Sequence, residues 1–317
     1  MNICIITDGK KGHLNQAGGL AEAVLKRAQA IHPEGEHQIQ TLSVEKLPRW
    51  KRFRYKGEPD TAPKIDLVIC AGHGSHLASI SLSRKHKCAC MVCMRPSLPR
   101  CFFTLEFVPE HDLKPKDYKC KKIFATKGVL NRIKPQNPEC KKRNILFLIG
   151  GESREYKWDS EQLLNQITHI ARYSSSPIVL TTSRRTDPDF IAEVNQACPN
   201  IHVVPYEQTD DDWYQNNIDI AKEIWVTRDS VSMVYESITA GIPTGLLEME
   251  PRTFIKGKVS RVTRGMEQLI TDGQATSFTH WGQTHQLPAP TPLDEANRAA
   301  DYIVEHFPHL FKGISSN

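Results

Sequence analysis

The chain has 317 residues, 39% of them hydrophobic and 24% charged, with a net charge of +5. That composition is ordinary for a globular protein, the length suits two domains better than one core, and no apolar window is long enough to span a bilayer. The charge is split: residues 1–140 hold 24 lysines and arginines against 13 acids (+11), and residues 141–317 hold 17 against 23 (−6), so the halves suit different partners and the basic half suits an anionic one.

The first predicted strand, 2–6, follows directly on Met1. No charged and then apolar leader with a small-residue cleavage site precedes it, so a cytoplasmic location is expected. Asp8 to Gln16 reads as the loop after that strand. In it, Gly9 and Gly12 allow close backbone approach or positive φ, Lys10 and Lys11 suit a phosphate or a solvated turn, and His13 suits a base near neutral pH. A helix follows, with Ala17, Leu20, Ala21, Val24, Leu25 and Ala28 on one face.

Further strands are expected at 38–43, 66–71, 90–94, 103–108 and 122–125. Between the first two of these, Arg49-Trp50-Lys51-Arg52-Phe53-Arg54-Tyr55-Lys56 interleaves cations with aromatics, as a membrane interface or a nucleic-acid backbone would require. No nucleic-acid-binding motif accompanies it, so an anionic membrane surface is the expected partner and nucleic acid is not. Cys90 and Cys93 form a Cys-x-x-Cys pair without a second pair at zinc spacing, and Cys88 to Met94 reads as a buried strand. The nine cysteines, an odd number in a long chain, are expected to be reduced thiols.

The polar stretch 133–143, with two prolines, reads as a linker, which gives domains of 1–138 and 139–317. Beyond it, strands are expected at 144–149, 177–182, 201–205, 223–227 and 243–247. Helical faces fall between them at Leu163, Leu164, Ile167 and Ile170, and at Val231, Val234, Tyr235 and Ile238. Strands alternating with helices imply an α/β protein: two Rossmann-like domains with parallel sheets, facing across a cleft, with ligands beyond the carboxyl ends of the strands. A last helix, about 293–306, is expected, and the sequence leaves open whether it crosses back to the first domain.

Three places in the second half suit an anion. Gly150-Gly151-Glu152-Ser153 follows a strand directly, and a plain turn would need one glycine rather than two; Arg154 and Lys157 add positive charge. Thr181-Thr182-Ser183-Arg184-Arg185-Thr186 puts hydroxyls and guanidiniums at the carboxyl end of a strand. After strand 223–227, Asp229 or Ser230 is expected to cap a helix whose open N–H groups, near Ser230 to Met233, bind a diphosphate. Glu236, two turns in, can accept hydrogen bonds from both ribose hydroxyls, and Gly241-Ile242-Pro243 ends the helix. No Asp-x-Asp metal motif sits at a strand end. Asp210-Asp211-Asp212 comes closest and reads as a helix start, where acids favour the dipole.

Taken together, Asp8-Gly9-Lys-Lys-Gly12-His13-x-Asn15-Gln16, Pro109-Glu110-His111-Asp112, Gly150-Gly151-Glu152-Ser153, Thr182-Ser183-Arg184-Arg185 and Asp229-Ser230-Val-Ser232-Met233-x-x-Glu236 resemble the bacterial branch of the mitochondrial-fission Elm family over nearly the whole chain. Plant members of that family are described as fission adaptors, and bacterial members are regarded as glycosyltransferases. The layout is also similar to GT-B glycosyltransferases such as the peptidoglycan N-acetylglucosaminyltransferase, with its glycine-rich loop ending in His, its Gly-Gly-Ser loop and its ribose-binding Glu. Gly9, Gly12-His13, Gly150-Gly151 and Glu236 match those positions. Asp8, Lys10-Lys11 and Glu152 depart from them, which leaves the donor sugar open.

The resemblance implies a GT-B-type glycosyltransferase that needs neither metal nor cofactor, the nucleotide sugar being a substrate. It implies donor binding by Gly150, Gly151, Ser153, Thr182, Ser183, Arg184, Arg185, Asp229, Ser230, Ser232, Met233 and Glu236. It implies His13 or Asp8 as the base, with Glu110 or His111 in reserve, and Gly9, Lys10, Gly12 and Gln16 shaping the acceptor loop. The acceptor is then a lipid-linked or lipopolysaccharide-core sugar, and the protein sits in the cytoplasm or peripherally on the inner face of the membrane. Two alternatives stay open: a nucleotide-sugar epimerase using Asp8, Glu110 and Glu152, and a membrane-associated adaptor without catalysis.

Overall fold

A computed structural model describes residues 1–57, 64–254 and 259–312. The chain divides into two compact units, one of Met1–Arg132 with the chain from Asp294 on, the other of Ile133–Leu293.

The first unit runs β1 (Asn2–Thr7), α1 (Lys11–Ile31), β2 (Gln38–Ser43), α2 (Arg49–Phe53), β3 (Leu67–Ala71), α3 (His76–His86), β4 (Ala89–Cys93), β5 (Leu105–Pro109) and β6 (Ile123–Thr126). Its six strands are all parallel, in the order β2-β1-β3-β4-β5-β6. The central strands are continuous apolar runs because helices cover both faces. Ile3, Ile5, Leu67, Ile69, Met91 and Phe107 pack on one side with Leu20 and Val24 of α1. Cys4, Ile6, Val68, Cys70, Cys90 and Val92 pack on the other with Ala78 and Leu82 of α3. Cys90 and Cys93 are thus buried strand residues, and all nine cysteines are free.

One boundary differs from the sequence expectation. Helix α1 begins at Lys11, so Gly12, His13 and Gln16 lie in its first turns and not in a loop. The turn out of β1 needs only Asp8, Gly9 and Lys10. Gly9 takes φ +85°, and the Lys10 carbonyl already accepts from His13 N (3.1 Å) and Leu14 N (3.0 Å).

The second unit runs β7 (Asn144–Leu148), α4 (Ser160–Tyr173), β8 (Ile178–Thr181), α5 (Pro188–Ala197), β9 (Ile201–Val204), α6 (Asp211–Ile220), β10 (Ala221–Thr227), α7 (Val231–Ala240), β11 (Thr244–Leu247), α8 (Arg261–Thr271), β12 (Thr276–Ser277) and α9 (Phe278–Thr284). The sheet is parallel in the order β12-β11-β10-β7-β8-β9. Asp210 caps α6 by accepting from Trp213 N at 2.7 Å. The final helix, α10 (Glu295–His306), belongs to the first unit: Ala299, Ala300 and Ile303 enter its core, and Asp301 pairs with Arg27 at 2.6 Å. The stretch read as a linker is held by the second unit, since Gln136 donates through Nε2 to the carbonyls of Ile218 (2.8 Å) and Ala221 (2.7 Å). The units therefore meet in the chain at 132/133 and again at 293/294, not at 138/139.

In each sheet the chain reverses direction beside its leading strand. The first sheet reverses between β1 and β3, the second between β7 and β10. The gap beyond the carboxyl ends of such a strand pair is where doubly wound sheets take ligands. No helix among the described residues is long and apolar enough to cross a membrane.

Candidate ligand sites

At the switch point of the second sheet, β7 delivers Gly150 and Gly151 and β10 delivers Asp229 and Ser230. Gly150 N donates to Thr227 Oγ1 (2.7 Å) and Gly151 N to Asp229 Oδ2 (3.1 Å). Arg185 reaches across from the end of β8, pairing with Asp229 Oδ2 at 2.7 Å and donating to the carbonyls of Gly151 (3.2 Å) and Glu152 (2.8 Å). Thr186 Oγ1 donates to the carbonyls of Ile149 (3.1 Å) and Gly150. Burial pushes the Asp229 carboxyl up, against the pull of Arg185 and of the Gly151 N–H.

Two expectations change here. Asp229 does not cap α7: its carboxylate is fully buried and committed to Gly151 and Arg185, and Ser230 occupies the N-cap position without a side-chain cap bond. The second glycine also has a reason inside the protein. A Cβ on Gly150 would lie 2.3 Å from the Asp229 carboxylate, and one on Gly151 would lie 2.0 Å from the Arg185 carbonyl oxygen. Neither glycine needs a ligand to explain it.

What remains open to a ligand is narrower than the predicted list. The first-turn N–H groups of α7 carry no side-chain cap, and Val231, Ser232 and Met233 are half-buried. Ser183 is half-buried and Arg184 exposed. Ser183 N donates to Thr186 Oγ1 (2.8 Å), and Thr182 Oγ1 accepts from Tyr206 N (3.1 Å). Ser153 Oγ serves its own loop, accepting from Tyr156 N (3.0 Å) and Glu155 N (3.3 Å). Glu236, 7% exposed, accepts from the hydroxyl of Tyr214 at 2.8 Å, a partner that sequence reading missed. Burial first, and then Glu236, keep the Tyr214 hydroxyl well above its usual range and protonated. Gly241 closes α7 at φ +76°.

At the switch point of the first sheet, Asp8 and His13 meet, Oδ1 to Nδ1, at 2.8 Å. Burial works to raise the Asp8 carboxyl, and the bond to His13 with the nearby Lys10 outweighs it, so Asp8 stays below its ordinary value. Lys10 is exposed, and Gln16 is buried on α1. Glu110 is exposed and His111 half-buried after β5. Three strand spacings separate β5 from β1, roughly 14 Å, so the reserve bases are not brought to the Asp8–His13 pair.

The residues that do join this pair come from Ala71-Gly72-His73-Gly74-Ser75-His76, the turn after β3. A Cβ on Gly72 would lie 2.1 Å from His13 Nδ1, and one on Gly74 would lie 2.8 Å from Asp8 Cβ. His76 is 2% exposed, contacts Ser97 Oγ at 3.2 Å and packs edge-on against His73 and Phe103. Burial pushes its ring down to about 4, so it is neutral. Its signal in the sequence is a Gly-His-Gly-Ser-His run directly after a strand. Among the described residues, no group of three or more His, Cys, Asp or Glu side chains is placed to hold a metal ion.

The whole chain is similar to solved UDP-N-acetylglucosamine 2-epimerase structures. The match to the enzyme of Methanocaldococcus jannaschii in complex with UDP-GlcNAc and UDP covers 98% of this chain and 100% of that one, at 12% identity and a TM-score of 0.56. The match to the S. aureus MnaA–UDP co-structure covers 100% and 98%, at 12% identity and a TM-score of 0.54. Likeness at this identity shows the fold, which is of GT-B type. No curated protein sequence matches the chain. The family model described as mitochondrial fission ELM1 matches residues 11–307, from the first turn of α1 to the end of α10, and the chain belongs to that family.

Proposed function

We propose that the chain transfers a sugar from a nucleotide-activated donor to a cell-envelope acceptor, a lipid-linked or lipopolysaccharide-core sugar presented at the inner face of the membrane. The observation that carries this is the start of α7: an uncapped helix N-terminus at the switch point of the second sheet, with a buried carboxylate two turns further in. The N–H groups from Val231 to Met233, with Arg184, hold the diphosphate and offset the charge that grows on it as it leaves. Glu236, which accepts from Tyr214, supplies the carboxylate that receives the ribose hydroxyls. With the ring proton of His13 at Nδ1 donated to Asp8, Nε2 presents its lone pair. That nitrogen takes the proton of the acceptor hydroxyl as its oxygen bonds to the anomeric carbon, and the nucleoside diphosphate departs with the electron pair of the broken C–O bond. The scheme asks for no metal ion.

An epimerase is the second reading, favoured by the whole-chain likeness to the UDP-GlcNAc 2-epimerase structure from Methanocaldococcus jannaschii. It needs an acid and a base on opposite sides of one sugar carbon. Of its candidates, Glu110 and Glu152 stand exposed on separate loops.

The test is a thermal shift with UDP, GDP, CMP and ADP on the wild type, Glu236→Ala and Arg184→Ala. A ligand at 100 times its Kd stabilises by about 2.7 kcal/mol. One nucleotide shifting the wild type and neither variant supports the donor site; no shift with any nucleotide overturns it and favours a non-catalytic adaptor. The matching nucleotide sugar is then incubated without acceptor, where an epimerised product excludes the transferase.

A further inference from the structure

Helix α2 has five residues and buries none of them. Trp50 is 68% exposed and Phe53 63%, and at a spacing of i, i+3 they share one side of the helix. From Lys46 to Gly57 the chain carries six cations and no acid. Lys51 lies over the Trp50 ring, 5.4 Å from its centroid.

The opposite side of α2 is fixed. Arg52 donates to the carbonyls of Leu47 (2.7 Å), Glu45 (3.1 Å) and Gly74 (2.9 Å). Tyr55 packs against the core beneath β1 and β3, and Lys85 Nζ donates to the Lys56 carbonyl at 2.9 Å. The aromatic pair is therefore presented on a held element and not on a loose loop.

We propose that α2 is an interfacial anchor. Trp50 and Phe53 enter the headgroup layer of an anionic lipid surface, with Arg49, Lys51, Arg54 and Lys56 on the lipid phosphates. A single-stranded nucleic acid would also use cations and aromatics, but it needs a track of stacking platforms, and this is one compact wedge. The anchor is coupled to the Asp8–His13 pair through one guanidinium and one glycine. Arg52 Nη1 bonds the Gly74 carbonyl, and a Cβ on Gly74 would lie 3.1 Å from that nitrogen and 2.8 Å from Asp8 Cβ. Docking of α2 thus brings the candidate base to the lipid surface. That this base meets a lipid-linked acceptor rests on the transferase reading; the anchoring does not.

The experiment is sedimentation of the full chain with phosphatidylcholine vesicles, with and without phosphatidylglycerol, at low and high salt. The variants are Trp50→Ala/Phe53→Ala and Lys51→Gln/Arg54→Gln, all at exposed positions. The wild type is expected to bind only the vesicles with phosphatidylglycerol, and to be released by salt. The aromatic variant loses binding, and the charge variant weakens it by about fivefold for each cation removed. Equal binding to both vesicle types, no binding, binding unchanged in both variants, or binding to single-stranded RNA in place of vesicles overturns the anchor. The nucleotide thermal shift is measured on the same variants and stays at the wild-type value. A nucleotide shift without vesicle binding sinks the anchor alone, and vesicle binding without a nucleotide shift sinks the donor site alone.

Discussion

The turn and helix start that follow the leading strand of the first unit bring Asp8 and His13 into contact at 2.8 Å, beside the turn after β3 that carries His73 and leads to His76. The matching loop of the second unit carries Gly150 and Gly151, whose N–H groups are taken by Thr227 and Asp229. Both loops sit at a switch point, and topology alone would rank them equal. The side chains separate them: the first unit pairs its carboxylate with an imidazole, whereas the second locks Asp229 into scaffolding and leaves the first turn of α7 without a side-chain cap. Equivalent positions in two similar folds thus differ in whether the acid pairs with an imidazole or is tied to a backbone N–H and a guanidinium.

The sharpest way to break that contrast is to remove the two aspartates. Asp229→Ala strands the Gly151 N–H and Arg185 and should cost about 3 kcal/mol in urea unfolding. Asp8→Ala, at a half-buried pair, should cost about 1 kcal/mol. Equal losses would erase the distinction.

Acid probes the histidines. The unfolded ring of His76, near 6.5, binds a proton that the folded ring, at about 4, refuses. The unfolded state therefore holds more protons between those values, and stability falls as pH drops through that window, by up to about 3 kcal/mol. His76→Gln should flatten the slope. Asp229 has the opposite sign: its folded carboxyl lies above the unfolded value, so its contribution shrinks as pH rises through that interval, and Asp229→Asn removes the dependence.

The neighbouring arginines offer a finer cut. Arg185→Ala should lower stability by about 1–2 kcal/mol through its lost bonds to Asp229, Gly151 and Glu152. Arg184→Ala should stay within about 0.5 kcal/mol and lose the nucleotide shift instead. Smallest of all, Lys10→Ala should move stability by less than about 0.5 kcal/mol, because Lys10 is exposed and its backbone makes the turn.

Among the described residues, eleven of the twelve strands were legible because buried parallel strands are short apolar runs between polar turns; β12, two residues long, leaves no pattern. The helices facing a core were legible at Ala17–Ala28 and Val231–Ile238 through their period. The start of α1 was not, since two glycines and two lysines mimic a loop and the deciding contacts are backbone bonds to the Lys10 carbonyl. The two glycines of Gly150-Gly151 were visible and their purpose was not, because Asp229 and Arg185 come from strands far along the chain. His76 and Tyr214 escaped for the same reason: each matters through a partner that only the fold brings near.

Because α10 supplies Ala299, Ala300 and Ile303 to the core of the first unit, the order of synthesis differs from the order of completion. The second unit is one unbroken segment, whole once Leu293 has left the ribosome, while the earlier-made unit still waits with the apolar flank of α1 uncovered. The portion translated first is thus the last to close, and during that interval it is the portion that chaperones and proteases would meet.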